Sequence, residues 1–373
     1  MTIKQLAIAL PDNPNTGWGL AGRRITEEIS KLALVSPLNS TGLLQVDEPV
    51  DIQCNLLRPI QGPNCLPQYL NLSAVKHRDV GYCFIENDIQ ARRYVQNLDR
   101  HFTDVIAGST WAANCLEQAL IDARIEAVGV FSAIQGVDSD IFCPAETDQT
   151  DPKWFTVFSG GKWEYRKGQD VVIAAMKVMM DRHADVRLIA SWWNPWPATA
   201  MTMRASKLIS YGGSASASEA DGFAHILVQS GIGAGMIERV EFLGQVNHAD
   251  MPAVYRRADV AFFPNRCEAG TNLPLMEAAA CGVPIIGTDE HGHTDVLDAI
   301  GFRVRSTPFV YTENGAEIGS WFEPDLDQAI EQLEAAYSIW KKAGCLMGYP
   351  ARAMAAIAPF TWARCAESIL KVF

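Results

Sequence analysis

Cys267-Glu268-Ala269-Gly270-Thr271-Asn272-Leu273-Pro274-Leu275-Met276-Glu277 is the stretch on which the reading of this chain turns. An apolar run, 258–264, precedes it and reads as a short buried strand. A helical run stopped by Gly282 follows, then a second apolar strand, 283–287. Two carboxylates therefore flank a glycine-containing turn where a strand ends and a helix begins. In open α/β sheets ligands collect at the carboxyl ends of strands. Asn272 is the expected N-cap, with Pro274 in a first turn that needs no intrahelical N–H. That leaves the amides of Thr271, Asn272 and Leu273 beside Gly270 to meet an anion, helped by the helix dipole. Glu277 cannot bind phosphate, but it can accept hydrogen bonds from neighbouring hydroxyls such as those of a ribose. The plainer alternative is a loop Glu and a helix-start Glu that only favours the dipole.

Size and composition narrow the choice. A chain of 373 residues suggests two domains, and 48% apolar with 20% charged residues suits large buried cores. A net charge of −12 argues against nonspecific nucleic-acid binding. No apolar run approaches the roughly 20 residues of a membrane span. A peripheral membrane contact stays open. The short patch 6–10 lacks a secretory cleavage pattern and reads as a first strand. Nine cysteines without a CxxC pair argue against a disulfide framework or a zinc site, so a reducing cytoplasm is the simplest compartment. Cys143, Cys267 and Cys281 read as small core thiols. His291 and His293 lack a third ligand at sensible spacing, and no Asp-x-Asp pair is read at a strand end, so no metal is expected.

Strand and helix patterns alternate, which implies parallel sheets covered by helices. Strand 4–10 runs into a turn-rich loop, 11–19, and a helix over 20–34. Further strands fall at 82–86, 105–107 and 128–131, and Ser109 is the expected cap of a helix over 110–123. After Gly136-Val137-Asp138 and Phe142-Cys143-Pro144 comes a polar stretch, 146–153, and a second α/β unit opens at 154–158. The expected division is 1–145, 146–355 and a closing helix within 356–373, with a small mobile loop at 214–218. Two doubly wound units imply a cleft between them, a preferred ligand site. Trp192, Trp193 and Trp196 fit an apolar cluster better than a stacking platform.

Ser159-Gly160-Gly161-Lys162-Trp163-Glu164-Tyr165-Arg166-Lys167-Gly168 follows the first strand of the second unit. Gly161 lets backbone approach a ligand. Lys162 and Lys167 are five apart, and Arg166 reads as a surface residue. A solvated basic turn is the alternative.

Together these motifs resemble the retaining GT-B glycosyltransferases of family four, also called glycosyltransferase group 1. The resemblance implies an α/β GT-B fold, two Rossmann-like doubly wound domains facing a cleft. It also implies transfer of a sugar from a nucleotide diphosphate sugar to a carbohydrate or other hydroxyl acceptor, without a metal or further cofactor. Family members carry a Glu-x7-Glu pair; here Glu268 and Glu277 enclose eight residues, which leaves the role of Glu268 less fixed. By resemblance Glu268 meets the transferred sugar, Glu277 holds ribose, and Lys162 and Lys167 clamp the diphosphate. Residues 240–246 resemble the strand before the nucleotide base, 251–259 the helix before the Glu pair, and Gly292 a loop near the donor. Gly17 and Gly19 occupy the place of the family's glycine-rich first loop. Many relatives carry a His where this chain has Glu86, which is thus a candidate for acceptor binding or proton handling. The first domain is short for its class. The last helix is expected to pack back across the cleft. A nucleotide-sugar epimerase on the same scaffold, or a non-catalytic glycan- or nucleotide-binding relative, are the rival readings.

Overall fold

The architecture comes from a computed structural model, which describes residues 5–13, 16–37, 50–60, 72–147, 149–211, 220–313 and 315–373. Lys4 of the expected first strand, Pro14 and Asn15 of the loop after it, and the expected mobile loop at 214–218 lie outside the described residues.

The first half runs β1 (Gln5–Ile8), α1 (Gly17–Leu32), β2 (Leu34–Pro37), β3 (Val50–Ile52), β4 (Asn55–Pro59), β5 (Leu72–Val75), β6 (Asp79–Cys83), α2 (Asp88–His101), β7 (Asp104–Ala107), α3 (Thr110–Ala123) and β8 (Gly129–Ser132). Six of these strands form one sheet in the order β2-β1-β4-β6-β7-β8, all parallel. β3 and β5 pair separately. Helix α1 starts earlier than expected, because the Thr16 hydroxyl accepts from the Gly19 amide at 3.1 Å and caps it. Ser109 caps α3 by accepting from Ala112 N at 3.2 Å.

The second half runs β9 (Phe155–Lys162), α4 (Gln169–Arg182), β10 (Val186–Trp193), α5 (Pro197–Ala200), α6 (Ala220–Gln229), α7 (Ala234–Ile237), β11 (Val240–Phe242), α8 (Met251–Tyr255), β12 (Val260–Phe263), α9 (Leu273–Ala280), β13 (Ile285–Thr288) and β14 (Ile300–Val304). After these come β15 (Ser306–Glu313), β16 (Ala316–Pro324), α10 (Leu326–Ala343), α11 (Tyr349–Ile357) and α12 (Trp362–Leu370). The second sheet is parallel in the order β11-β10-β9-β12-β13-β14, which reverses direction between β9 and β12. The glycines expected in a turn at 159–168 instead extend β9, with Gly160 and Gly161 paired to Ser191 and Trp192. β15 and β16 form an antiparallel hairpin that the sequence pattern did not announce.

Three apolar clusters hold these layers. One packs the outer face of the first sheet with α2 and α3, and another packs β9 and β10 with α4 and α10. The third joins both sheets, running from Ile8 and Ile25 through Phe142 and Trp362 to Phe158 and Tyr255. Helix α12 lies on α1, and a single bridge pairs Val137 with Thr361. Gly136 permits this contact, since a Cβ there would sit 2.2 Å from Trp362 N.

Candidate active site

The site grows from the reversal point of the second sheet. Gly168, at φ +72°, lets the turn after β9 press on the end of β12: a Cβ there would lie 1.9 Å from Pro264 O. The loop after β12 docks on that turn, with the amides of Arg266 and Cys267 donating to Arg166 O at 2.7 and 3.2 Å. The Arg266 side chain bridges Asp170 and Glu323. Glu268 is thereby delivered, buried, against Lys167.

A compact charge cluster results. The Glu268 carboxylate binds Lys167 Nζ and Asn265 Nδ2, with Arg166 at 3.5 Å. Arg166 also meets Glu164 at 2.7 Å and Glu86, from the first half, at 3.1 Å. Burial works against ionised Glu268, but Lys167 and Arg166 outweigh it and hold the carboxyl at about 2. Burial pushes Lys167 down, helped by Arg166 and opposed by Glu268. Both shifts fit a carboxylate that several cations share. Arg166 corrects the expectation of a surface residue: it is 7% exposed and sits at the centre of this cluster. Lys162 stands further out, half-exposed, 3.4 Å from Glu164 and over the Trp196 ring.

The turn itself also differs from expectation. Asn272 sits at the N-cap position of α9, but at φ +62° with no capping bond; its amide donates instead to His293 Nε2 at 3.1 Å. Thr271 is not open to an anion. Its amide donates to Gln135 Oε1 at 3.2 Å, so the first half of the chain holds that position. A Cβ on Gly270 would reach 2.1 Å from the same oxygen, so a larger residue there would displace the Gln135 side chain. The backbone amides of Asn272 and Leu273 remain as donors at the helix start.

Two buried histidines fix the loop. His291 Nδ1 accepts from the Glu268 amide at 3.0 Å, and its Nε2 donates to Asn265 O at 3.1 Å. His293 Nδ1 donates to Thr288 O at 2.9 Å. Burial holds both rings neutral, and each spends its one lone pair on a protein donor, leaving none for a metal. Among the described residues no group of three or more His, Cys, Asp or Glu is placed to hold a metal ion. Asp325-Leu326-Asp327 does follow a strand, contrary to the sequence reading, but Asp325 caps α10.

Glu277 is buried, with Oε1 accepting from His248 Nε2 at 2.7 Å and Oε2 from Tyr255 Oη at 2.9 Å. Burial disfavours charge on His248, but the bond to Glu277 and its charge prevail and raise the imidazole above its usual range. The sequence reading missed His248, whose link to Glu277 joins two segments.

All the expected site residues except Thr271 and Gly19 line one cavity of about 730 Å³. Gly19 serves packing instead: a Cβ there would lie 2.1 Å from Asn13 O. Gly17 has room for a side chain and stands on the cavity wall, as do Glu86, Lys162, Gly161, Lys167, Glu268 and Glu277. Trp192 is buried against Trp163 and Phe223, whereas Trp193 and Trp196 reach the wall. The carboxyl ends around both sheet reversals, Ala9 and Pro59 in one and Lys162 with the loop carrying Glu268 in the other, open into this space.

Residues 196–309 match the family described as glycosyl transferases group 1. The chain is 38% identical over 63 residues to a phosphatidyl-myo-inositol mannosyltransferase of Mycobacterium leprae, covering 17% of each. It is 29% identical over 178 residues to a D-inositol 3-phosphate glycosyltransferase of Salinispora tropica, covering 44% of this chain and 33% of that one. The matches thus span a third or less of those relatives' length. Among solved structures, the sucrose-phosphate synthase of Thermosynechococcus elongatus superposes with TM-score 0.65 at 14% identity, covering 99% of this chain and 98% of that one. HepE of Anabaena, solved with UDP-glucose, superposes with TM-score 0.61 at 17% identity, covering 99% of each. The fold is GT-B.

Proposed function

We propose that this GT-B chain, which carries a glycosyltransferase group 1 segment, transfers a sugar from a nucleotide diphosphate sugar to a hydroxyl acceptor. The observation that carries the reading is the convergence of Lys162, Arg166, Lys167, Glu268 and Glu277 on one cavity at a sheet reversal. Glu277 would accept from ribose hydroxyls, steadied by His248 and Tyr255. The amides of Asn272 and Leu273 and the cations of the β9 turn would meet the diphosphate. Fixed cations in a dry site stabilise charge that builds on a leaving phosphate without reorganising.

The reaction we infer is a retaining front-face displacement without a metal. The anomeric carbon–phosphate oxygen bond breaks while the acceptor oxygen bonds the same face. The acceptor proton passes to the departing diphosphate. Glu268 would orient the donor sugar, and Glu86 would bind the acceptor hydroxyl. Uridine is the first nucleotide to try, given the UDP-glucose bound in HepE.

Thermal melts with UDP, GDP and ADP check the donor site, since binding to the native state raises Tm. A rise of several degrees with one of them is expected. No rise with any, together with no nucleotide release from the matching sugar donors, would sink the reading.

A further inference from the structure

The acceptor side of the cavity has a chemistry of its own. Trp18 stands edge-on to Phe84 with ring centroids 4.8 Å apart, and both line the cavity with Ile60 and Tyr94. Glu86 is the only charged residue that the described first half contributes to the wall. Gln90 accepts from the Glu86 amide at 2.8 Å and donates to Tyr94 Oη at 2.9 Å. Outside the described residues, the first-half stretches 1–4, 14–15, 38–49 and 61–71 contain one cation, Lys4, and no Arg or His.

Across the cavity the cations are already committed. Lys162, Arg166 and Lys167 are matched by Glu86, Glu164 and Glu268. A nucleotide diphosphate would add negative charge to a balanced cluster. A second phosphate, carried by the acceptor, would meet Glu86 and, among the described wall residues, no unpaired cation. Like charges at close range repel. Aromatic rings with hydrogen-bonding neighbours instead suit the apolar face and hydroxyl rim of an uncharged sugar or polyol.

We propose that the acceptor is an uncharged polyhydroxyl compound, seated on Trp18 and Phe84 with its hydroxyls on Glu86 and Gln90, and that phosphorylated acceptors are excluded. This rests on the donor reading above, which nucleotide melts test separately.

The experiment is saturation-transfer NMR on protein loaded with whichever nucleotide raises Tm. Methyl glycosides of glucose, mannose and galactose and myo-inositol are compared with glucose 6-phosphate, mannose 6-phosphate, galactose 6-phosphate and inositol 3-phosphate. At least one neutral compound is expected to bind at least tenfold more tightly than its phosphorylated counterpart. Trp18→Ala should abolish that signal. Gln90→Arg should shift the ratio at least tenfold toward the phosphorylated member. Tighter binding by the phosphorylated members, or no binding by any neutral member at high millimolar concentration, overturns the proposal. A nucleotide melt shift alongside either result leaves the donor site standing, so the two failures are distinguishable.

Discussion

Glu277 has both carboxylate oxygens engaged before any ligand arrives, which orients them for further hydroxyls. Glu277→Ala should weaken nucleotide binding roughly tenfold or more, the scale of one lost charge-assisted bond. Isothermal titration checks this. Lys167→Ala should mainly lower kcat, because its charge matters most as the diphosphate departs; steady-state nucleotide release reports it. His248 adds a pH signature. Its folded pKa is raised, so its contribution to stability is complete below about pH 6.5 and is lost as pH climbs through the folded value. Wild type should therefore lose Tm between pH 6 and 9 relative to His248→Ala, as parallel melts would show. Arg166 shows why such details escape a linear reading. Trp-Glu-Tyr-Arg-Lys-Gly looks like a solvated basic turn. The partners of Arg166 include Glu268, about a hundred residues on, and Glu86, a residue of the other sheet's half.

At the level of elements, the loop between β12 and α9 is clamped by the segment after β13. Gly292 N donates to Glu268 O at 3.0 Å, and a Cβ on Gly292 would sit 1.6 Å from Gly270 O. Backbone on both sides cannot yield cheaply, so Gly292→Ala should cost about 1–3 kcal/mol or more and displace Glu268. Chemical denaturation and nucleotide release, measured on the same sample, should both fall. Elements with local signals were legible in the sequence: α3 has its Ser109 cap, and α9 ends before Gly282, at φ +81°. The hairpin of β15 and β16 was not, because β16 packs on α2, far away in sequence. The end of β9 was misread because glycines that usually mark a turn here keep strand pairing with β10.

For the molecule as a whole, the two sheets are tied together on both flanks of the cavity. Ser109 Oγ donates to Ala269 O at 2.8 Å, Cys267 Sγ to Glu86 O at 2.8 Å, and Trp321 Nε1 to the same oxygen at 3.0 Å. Trp321 also stacks on Tyr311 with ring centroids 4.2 Å apart. Trp321→Ala should cost about 3–5 kcal/mol, as for a buried aromatic. It should also raise the radius of gyration of ligand-free protein, read by small-angle scattering. The alternating pattern made the two-sheet plan legible, whereas these cross-ties depend on contacts that no local pattern encodes. The seat of α12 on α1 carries a further consequence for biosynthesis. Ile25 and Ile29 share one core with Trp362, Cys365 and Ile369, and Arg78 binds Val372 O. A nascent polypeptide on the ribosome must therefore leave the α12-facing side of that early helix uncovered until the whole later sheet has been translated. During that interval its bare apolar stripe is a natural target for chaperones.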